Sequence, residues 1–445
     1  MKMNKIVILD VYRKSPYRIS KDTCGGYGTE NDFGKGLPAF LLSRLAKFSL
    51  FWPPLAALNL LSEFLNNNQF DSIYSQDPNI IDSSVDFVFV STSIVCCDYE
   101  LKTTKELIKK FPNIKFFAFG SFSKFYEERY REIGVCVIDG EPEFLFQNYN
   151  IDQKNLNLFH ANGTVSSPKK NPNNLSLPLW VNQNSASTKN FLFGYRDGYY
   201  PIIATRGCPY SCYEYCVYPL QQGRVVNAAS PEKIIDDVNF INQKTRAKNF
   251  VFRDPVFSIN KKYTFDLLNA FANKGFDKYS FTVETHLNNI NEELAIAFYN
   301  SGVKWVKFGI ESADMEVKKN VHRYTLDNDE QKQRVNICKK NKLKTVAMYI
   351  LCQPEDNFDT HKTTIDYSKY LETDLAQFSL FTPYPGTPFY EKNQEIINED
   401  DFEKFNQYNL VFKHKIFNNE DAKKELGIAY KEYYLNKILN YAKFR

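Results

Sequence analysis

Apolar and polar positions along this chain follow two rhythms, and their order predicts an architecture. Residues 6–11 form a continuous apolar run, as expected of a parallel strand buried on both faces. Residues 53–65 open with Pro53-Pro54 and continue with apolar residues at helical spacing, proline being harmless in a first turn. A strand at 85–92, a helix at 98–110, a strand at 115–121, a helix around 124–133 and a strand at 135–143 complete a first alternating set. Residues 151–190 are rich in Asn, Ser, Lys and Pro with weak periodicity, and read as a linker.

The alternation then resumes. Strands are expected at 200–205, 249–254, 279–286, 305–312, 344–351 and 376–383, with helices at 231–243 (Ser230 as N-cap), 261–273, 292–301, 328–341 and 359–372. Strands alternating with helices imply parallel sheets with right-handed crossovers. The expected fold is α/β: a Rossmann-like sheet domain over 1–150, a linker over 151–195, a partial (β/α)6 barrel of TIM type over 196–390, and a helical cap over 391–445. The tail from 400 to 445 reads as an amphipathic cover or a partner-binding helix.

Composition narrows the class. The chain has 445 residues, 43% of them apolar, enough for a substantial core over more than one domain. A net charge of +4, with Lys and Arg interspersed among Asp and Glu, gives no reason to expect a nucleic-acid partner. The 38 Phe and 29 Tyr, with abundant Asn and Lys, read first as an AT-rich coding bias. Nine cysteines follow no secretory pattern and the amino end runs straight into a strand, so a cytoplasmic, reducing setting is expected. The most apolar stretch, 37–65, is broken by Arg44, Lys47 and Pro53-Pro54, so no transmembrane segment is expected.

The chemistry concentrates at Cys208, Cys212 and Cys216, three cysteines each separated by three residues at the end of a strand. Three soft thiolates on one loop suit an iron–sulfur centre with one metal position open to a ligand that is not protein. The competing reading is a zinc knuckle or three unrelated buried thiols. No histidine or fourth cysteine follows at finger spacing, the next cysteine being Cys338. Polar residues end successive strands of the second set: Asp254, Glu284 with His286, Glu311 and Thr382. In barrels of this kind such positions face the active site. A glycine-rich loop, Cys24-Gly25-Gly26-Tyr27-Gly28 with Gly34 and Gly36, could bring backbone N–H groups to an anion, or be a plain flexible loop.

The cysteine loop resembles that of radical S-adenosylmethionine (SAM) enzymes, with Tyr215 in the aromatic place before Cys216. Its second gap is one residue longer than usual, a spacing similar to a branch that includes the aminoglycoside-pathway diol dehydratase acting on paromamine. Other stretches resemble family landmarks: Phe252-Arg253-Asp254, Glu284-Thr285-His286 with His in the place of Arg, Gly309-Ile310-Glu311-Ser312, Ile350-Leu351-Cys352-Gln353-Pro354-Glu355, and Thr382-Pro383-Tyr384-Pro385-Gly386-Thr387-Pro388. Cys352 and Gln353 depart from the family pattern. The Pro53-Pro54-Leu55 helix start and Gly140-Glu141-Pro142-Glu143 resemble the N-terminal cobalamin-binding domain of one radical SAM class. No Asp-x-His-x-x-Gly is present, so no histidine is indicated as a lower cobalt ligand.

The resemblance implies that Cys208, Cys212 and Cys216 hold a 4Fe–4S cluster whose open iron binds SAM, and that reductive cleavage yields a 5′-deoxyadenosyl radical that abstracts hydrogen from a small molecule. It implies Tyr210, Tyr215, Asp254, Glu284, His286, Glu311, Ser312, Ile350 and Tyr384 as cofactor-contacting residues. Glu311, Glu284 or Asp254 would serve as the acid that helps a hydroxide leave. The implied partners are a carbohydrate-like substrate and an electron donor such as flavodoxin, ferredoxin or a dedicated reductase. The cysteine spacing favours dehydration or deoxygenation of a sugar or aminocyclitol diol. The N-terminal domain favours cobalamin-dependent methyl transfer, with cobalamin binding left open. A non-catalytic iron–sulfur redox protein is the third reading.

Overall fold

The computed structural model describes residues 3–21, 26–48, 53–168, 170–182, 199–320, 323 and 325–443. Cys24 and Gly25 of the glycine-rich loop and residues 183–195 of the expected linker lie outside them.

The N-terminal sheet consists of β1 (Asn4–Leu9), β2 (Phe70–Ser75), β3 (Phe87–Ser91), β4 (Lys115–Phe119), β5 (Cys136–Asp139) and β6 (Thr164–Ser166). All pairings are parallel, in the order β2-β1-β3-β4-β5-β6. This is a doubly wound order whose switch point lies between β1 and β3. Its interior strands are the apolar runs the sequence announces, and residues 87–91 of β3 are buried throughout. Both edge strands escape the sequence pattern. β2, Phe-Asp-Ser-Ile-Tyr-Ser, is half polar because an edge strand is covered on one flank only. β6 falls inside the stretch expected as a linker, preceded by a helix over Gln153–Asn162, and is three residues long. Short, polar edges resist pairing with other chains, and the same property hides them from a hydrophobicity pattern.

The second sheet consists of β7 (Tyr199–Ile202), β8 (Asn249–Phe252), β9 (Ser280–Glu284), β10 (Val303–Glu311), β11 (Lys344–Leu351) and β12 (Leu375–Leu380). It is parallel, in sequential order and open, with β7 and β12 as its edges. The asparagines that look like composition bias serve as caps. Asn260, Asn291 and Asn357 each accept a backbone N–H at the start of the following helix, as Ser230 and Asp327 do.

The tail is α-helical only over Asn419–Lys443, not from 400, with a 3-10 turn at Phe402–Lys404 before it. Phe405, Val411, Phe412 and Phe417 are buried at spacings that no helix face could satisfy, so 400–418 runs as an irregular band. The helix lies along the open edge of the second sheet, and its tyrosines hydrogen-bond to β12 and the residues before it. Tyr430 Oη donates to Phe378 O (2.8 Å) and accepts from Phe378 N (3.0 Å); Tyr433 Oη donates to Thr373 O and Tyr434 Oη to Ala376 O. An exposed edge is thereby capped by side chains instead of a seventh strand. None of the described helices is long and apolar enough to cross a membrane.

Candidate functional site

The cysteine loop leaves β7 through Thr205-Arg206, which pair with Asn227-Ala228 in a short antiparallel ladder. Gly207 follows at φ +90°, where a Cβ would collide with the Val225 carbonyl. The glycine in Arg-Gly-Cys is therefore required by a close backbone approach. Cys208 N–H donates to Gly223 O at 3.2 Å and Cys216 N–H to Cys212 O at 3.2 Å, closing the loop on itself.

Two buried carboxylates set the loop's entry. Asp254, just beyond β8, accepts from Ala204 N and from both the N–H and Oγ1 of Thr205. Burial pushes its carboxyl up to about 6, against the pull of those donors. It anchors the strand that delivers the cysteines, and its acceptor capacity is largely used. Glu141, in the segment after β5, accepts from Arg206 Nε at 2.7 Å, and Glu143 from Arg206 Nη2 at 3.1 Å; Lys170 pairs with Glu141 at 3.1 Å. Arg206 is 1% exposed and also lies 5.1 Å from the Phe144 ring centroid. The two sheets thus face each other with their C-terminal edges, joined two residues before Cys208.

Glu311 ends β10 in the left-handed region at φ +66°. A Cβ on Gly309 would collide with its carboxylate, so the glycine of Gly-Ile-Glu-Ser makes room for the glutamate to fold back. Burial pushes the Glu311 carboxyl up to about 7, opposed by Arg323. Arg323 Nη2 lies 3.5 Å from Glu311 Oε1 and donates to Gly309 O at 3.0 Å, while Nη1 is 4.0 Å from Cys212 Sγ. A hydrogen bond from Cys216, aided by Arg323, lowers the Cys212 thiol, and the same hydrogen bond raises Cys216. A thiolate is the form that binds metal.

His286 is buried beside Tyr210 (ring centroids 5.1 Å apart) and accepts from Asn288 N through Nδ1. Burial, with the charge of Arg323, lowers it to about 3, so it is neutral at physiological pH. The positive charge that an arginine would bring at this position comes instead from Arg323, which no motif flags: it follows a short helix, Met315–Asn320, beyond Glu311. Tyr215 packs on Phe381, beside Ile350. Tyr384 lies edge-on to Tyr27 (5.3 Å), whose hydroxyl donates to Pro385 O, so it belongs to the contact between the sheets. Ser312 is turned toward the helix layer, where its Oγ meets Thr364 Oγ1 at 3.2 Å and accepts from Asp314 N. Glu284 is half-buried, on the same side of the sheet as Glu311. Cys352, a departure from the family pattern, adopts φ +57° and donates its N–H to His361 Nε2 at 2.9 Å. It keeps a conformation that glycine favours.

The residues fit an iron–sulfur centre with an anionic ligand beside it. Among the described residues no three His, Cys, Asp or Glu side chains converge as for a single metal ion; a polynuclear cluster spreads its thiolates over separate irons. Two buried cationic atoms next to Glu311, Lys318 Nζ and Arg323 Nε, have no hydrogen-bond partner. Orphaned buried donors of this kind suit an incoming carboxylate.

Residues 202–367 match the model of the radical SAM superfamily. The chain is similar to an uncharacterised methyltransferase of Pyrococcus horikoshii, 30% identical over 236 residues (53% of this chain, 51% of that protein). It is also similar to the bacteriochlorophyllide d C-12(1)-methyltransferase of Chlorobaculum tepidum, 24% identical over 292 residues (64% and 61%). The chain spans about half to three fifths of the length of these curated relatives. The fold is shared with the radical SAM methyltransferase TsrM from Kitasatospora setae in its structure with cobalamin and a 4Fe–4S cluster bound: TM-score 0.64 at 13% identity, covering 98% of this chain and 89% of that one. Residues 202–367 are a radical SAM domain, which implies a 4Fe–4S cluster and SAM.

Proposed function

We propose that this chain is a cobalamin-dependent radical SAM methyltransferase acting on a small molecule. The observation that carries the reading is the pairing of a radical SAM domain with a second parallel sheet whose C-terminal edge faces the cysteine loop through Arg206, Glu141 and Glu143. The relatives named as methyltransferases, and the likeness to TsrM along almost the whole chain, support methyl transfer over diol elimination.

A corrinoid is compatible with that edge. Ser91-Thr92, Gly120-Ser121 and Gly140 put small residues at three successive strand ends, as a broad planar ligand needs. Lys21 fills the crevice at the β1/β3 switch point, paired with Asp10 (3.0 Å) and Glu100 (2.6 Å), and it also donates to Ser91 O (3.3 Å) at the end of β3, so the ends of β4 and β5 would be the part of that edge left to hold a corrinoid. Among the described residues no histidine lies at those strand ends to serve as lower ligand.

Bound cluster and SAM supply radical initiation, and bound cobalamin a methyl carrier. The chain's own residues divide the remaining tasks. Cys208, Cys212 and Cys216 would hold the cluster, with Arg323 stabilising the thiolate of Cys212. Arg323 and Lys318 would receive the SAM carboxylate, and Tyr210 and Ile350 would pack against its apolar parts. Asp254 positions the loop. Glu311, poised near neutral pH, is the group able to hold or release a proton next to the reacting centre. An electron would come from flavodoxin, ferredoxin or a dedicated reductase.

The test is anaerobic reconstitution with iron, sulfide and cobalamin, then reduction with SAM and mass spectrometry. Retained cobalamin, with 5′-deoxyadenosine and cobalamin-dependent S-adenosylhomocysteine, is the expected result. Deoxyadenosine without retained cobalamin or S-adenosylhomocysteine would instead favour dehydration or deoxygenation, the reading that the Cys212–Cys216 spacing supports. No deoxyadenosine from a fully loaded cluster would end both.

A further inference from the structure

The helix Leu37–Lys47 presents to solvent the face that a surface helix ordinarily buries. Only its Ala39 and Ser43 are buried, and the Ser43 hydroxyl is satisfied within the fold, donating to Ala39 O (2.9 Å) and accepting from Phe33 N (3.0 Å). The large apolar side chains Leu37, Phe40, Leu41 and Leu45 are between 44% and 70% exposed, as is Phe48 just past the helix end. Spacings of three and four put them on one face. Single exposed apolar residues are ordinary, but five on one short segment mark an interaction surface.

Both ends hold the helix in that orientation. At its start, Lys35 N donates to Lys423 O of the tail helix (2.8 Å), and Gly427 has no room for a Cβ against the Lys35 carbonyl. At its end, Lys47 Nζ donates to Ser15 O (2.5 Å) and Tyr17 O (3.1 Å). The charge on this face has one sign, since no Asp or Glu occurs from 33 to 62. The carboxylates that adjoin the helix start, Asp32 and Glu420, are paired with Lys423 and Lys35. Arg44, four residues after Phe40, stands within the apolar face with its guanidinium 5.1 Å from the Phe40 ring centroid, and makes no ion pair among the described residues. Lys47, at the margin, meets backbone carbonyls, which leave its charge unneutralised.

We propose that this face docks the protein on an anionic lipid bilayer, with Phe40, Leu41 and Leu45 entering the boundary between headgroups and acyl chains and Arg44 and Lys47 set against lipid phosphates. An apolar stripe accompanied by cations is the pattern of helices that lie in a membrane interface, and the flexible stem of Arg44 lets its charge reach headgroup level. A second copy of this chain is the poorer occupant, because it would bring an identical set of cations and no carboxylate to oppose them. Eleven residues bury little area, so the docking is reversible and salt-dependent. Lys47 also lines a cavity of about 390 Å3 with Arg13 and Tyr17, so the docked face adjoins that cavity. The inference goes beyond the proposed activity and stands independently of it.

The test is co-sedimentation of the full chain, its cluster reconstituted, with vesicles of phosphatidylcholine alone or of phosphatidylcholine mixed with phosphatidylglycerol. The expected result is binding to the mixed vesicles, several times weaker binding to the neutral ones, and release at high salt. Arg44→Gln lowers the partition coefficient roughly fivefold, and Phe40→Ser lowers it roughly tenfold. Phe40→Trp reads the same helix should the serine variant fold poorly: brominated acyl chains quench its fluorescence beyond that of the unaltered protein. No sedimentation with the mixed vesicles, equal binding to both kinds, binding that Phe40→Ser leaves unchanged, or no added quenching would overturn the proposal. Light scattering that shows a dimer, dissociated by Phe40→Ser, would assign the face to a second copy and overturn it as well. None of these readouts depends on SAM cleavage or methyl transfer, so the docking face and the methyltransferase reading fail separately.

Discussion

Arg206 Nε donates to Glu141 Oε1 at 2.7 Å, and both side chains are almost fully withdrawn from water. The pair ties the residue two before Cys208 to the C-terminal edge of the other sheet. Removing one partner leaves a buried charge uncompensated, which costs about 3–5 kcal/mol. Arg206→Met is expected to lose iron on reconstitution and to melt at lower temperature. Glu143→Gln, which spares the shorter contact, should do less of both. Iron content and thermal unfolding of the two variants, measured side by side, check the order.

Gly207→Ala places a Cβ against the Val225 carbonyl at a backbone φ of +90°. The left-handed conformation alone costs an L-residue roughly 1–2 kcal/mol, and the collision adds to it. The variant should fold its N-terminal sheet normally and yet bind little or no cluster, giving circular dichroism close to wild type and a weak iron–sulfur absorbance. A full complement of iron would show that the loop relaxes around the extra carbon.

Arg323 touches three things at once: the Gly309 carbonyl, the Glu311 carboxylate and the Cys212 sulfur. Charge-assisted hydrogen bonds contribute about 1.5–3 kcal/mol, so Arg323→Gln should lower 5′-deoxyadenosine formation roughly 10- to 100-fold. The cluster should still assemble, because the cysteines are untouched. His286→Ala, which removes a neutral ring, should have the smaller effect on SAM cleavage. The reverse ranking would return the carboxylate-binding role to His286.

Glu63 accepts from Ser176 N at 2.6 Å and from its Oγ at 3.1 Å, and burial pushes its carboxyl up to about 7. The folded value stands above the ordinary one near ~4.3. Its contribution to stability is thus fully present below about pH 4 and lost as pH rises through 7. Glu63→Gln should leave the melting temperature nearly unchanged at pH 5 and raise it at pH 8, by an amount corresponding to about 1–3 kcal/mol. Thermal melts of both proteins across that range decide it. A variant less stable than wild type at pH 8 would mean that the two serine donors need a carboxylate.

Much of this molecule is legible in one dimension because the signals are local. Cys208, Cys212 and Cys216 are spaced on a single loop, Glu311 follows Gly309 within one motif, and the strands of the second sheet alternate buried apolar residues with half-buried ones, the pattern of a strand packed under helices on one face. The cap at Ser230 is equally local. Other features depend on residues far apart in the chain meeting in space, and there the pattern fails. β2 and β6 are sheet edges, recognisable only once their neighbours are in place. Arg323 becomes part of the cysteine site because a loop with no motif folds back on Cys212. Asp254 reads as a chemical group in the sequence, yet in the fold it anchors Ala204 and Thr205. His286, a charge donor by position, is made neutral by burial. Arg253, Glu284 and Lys307 belong to three different strands and share one rung of the sheet only through register. Hydrophobic periodicity and motif spacing report what a segment does with its near neighbours. Burial, pKa and the pairing of distant charges are set by the three-dimensional surroundings, and only the tertiary structure decides them.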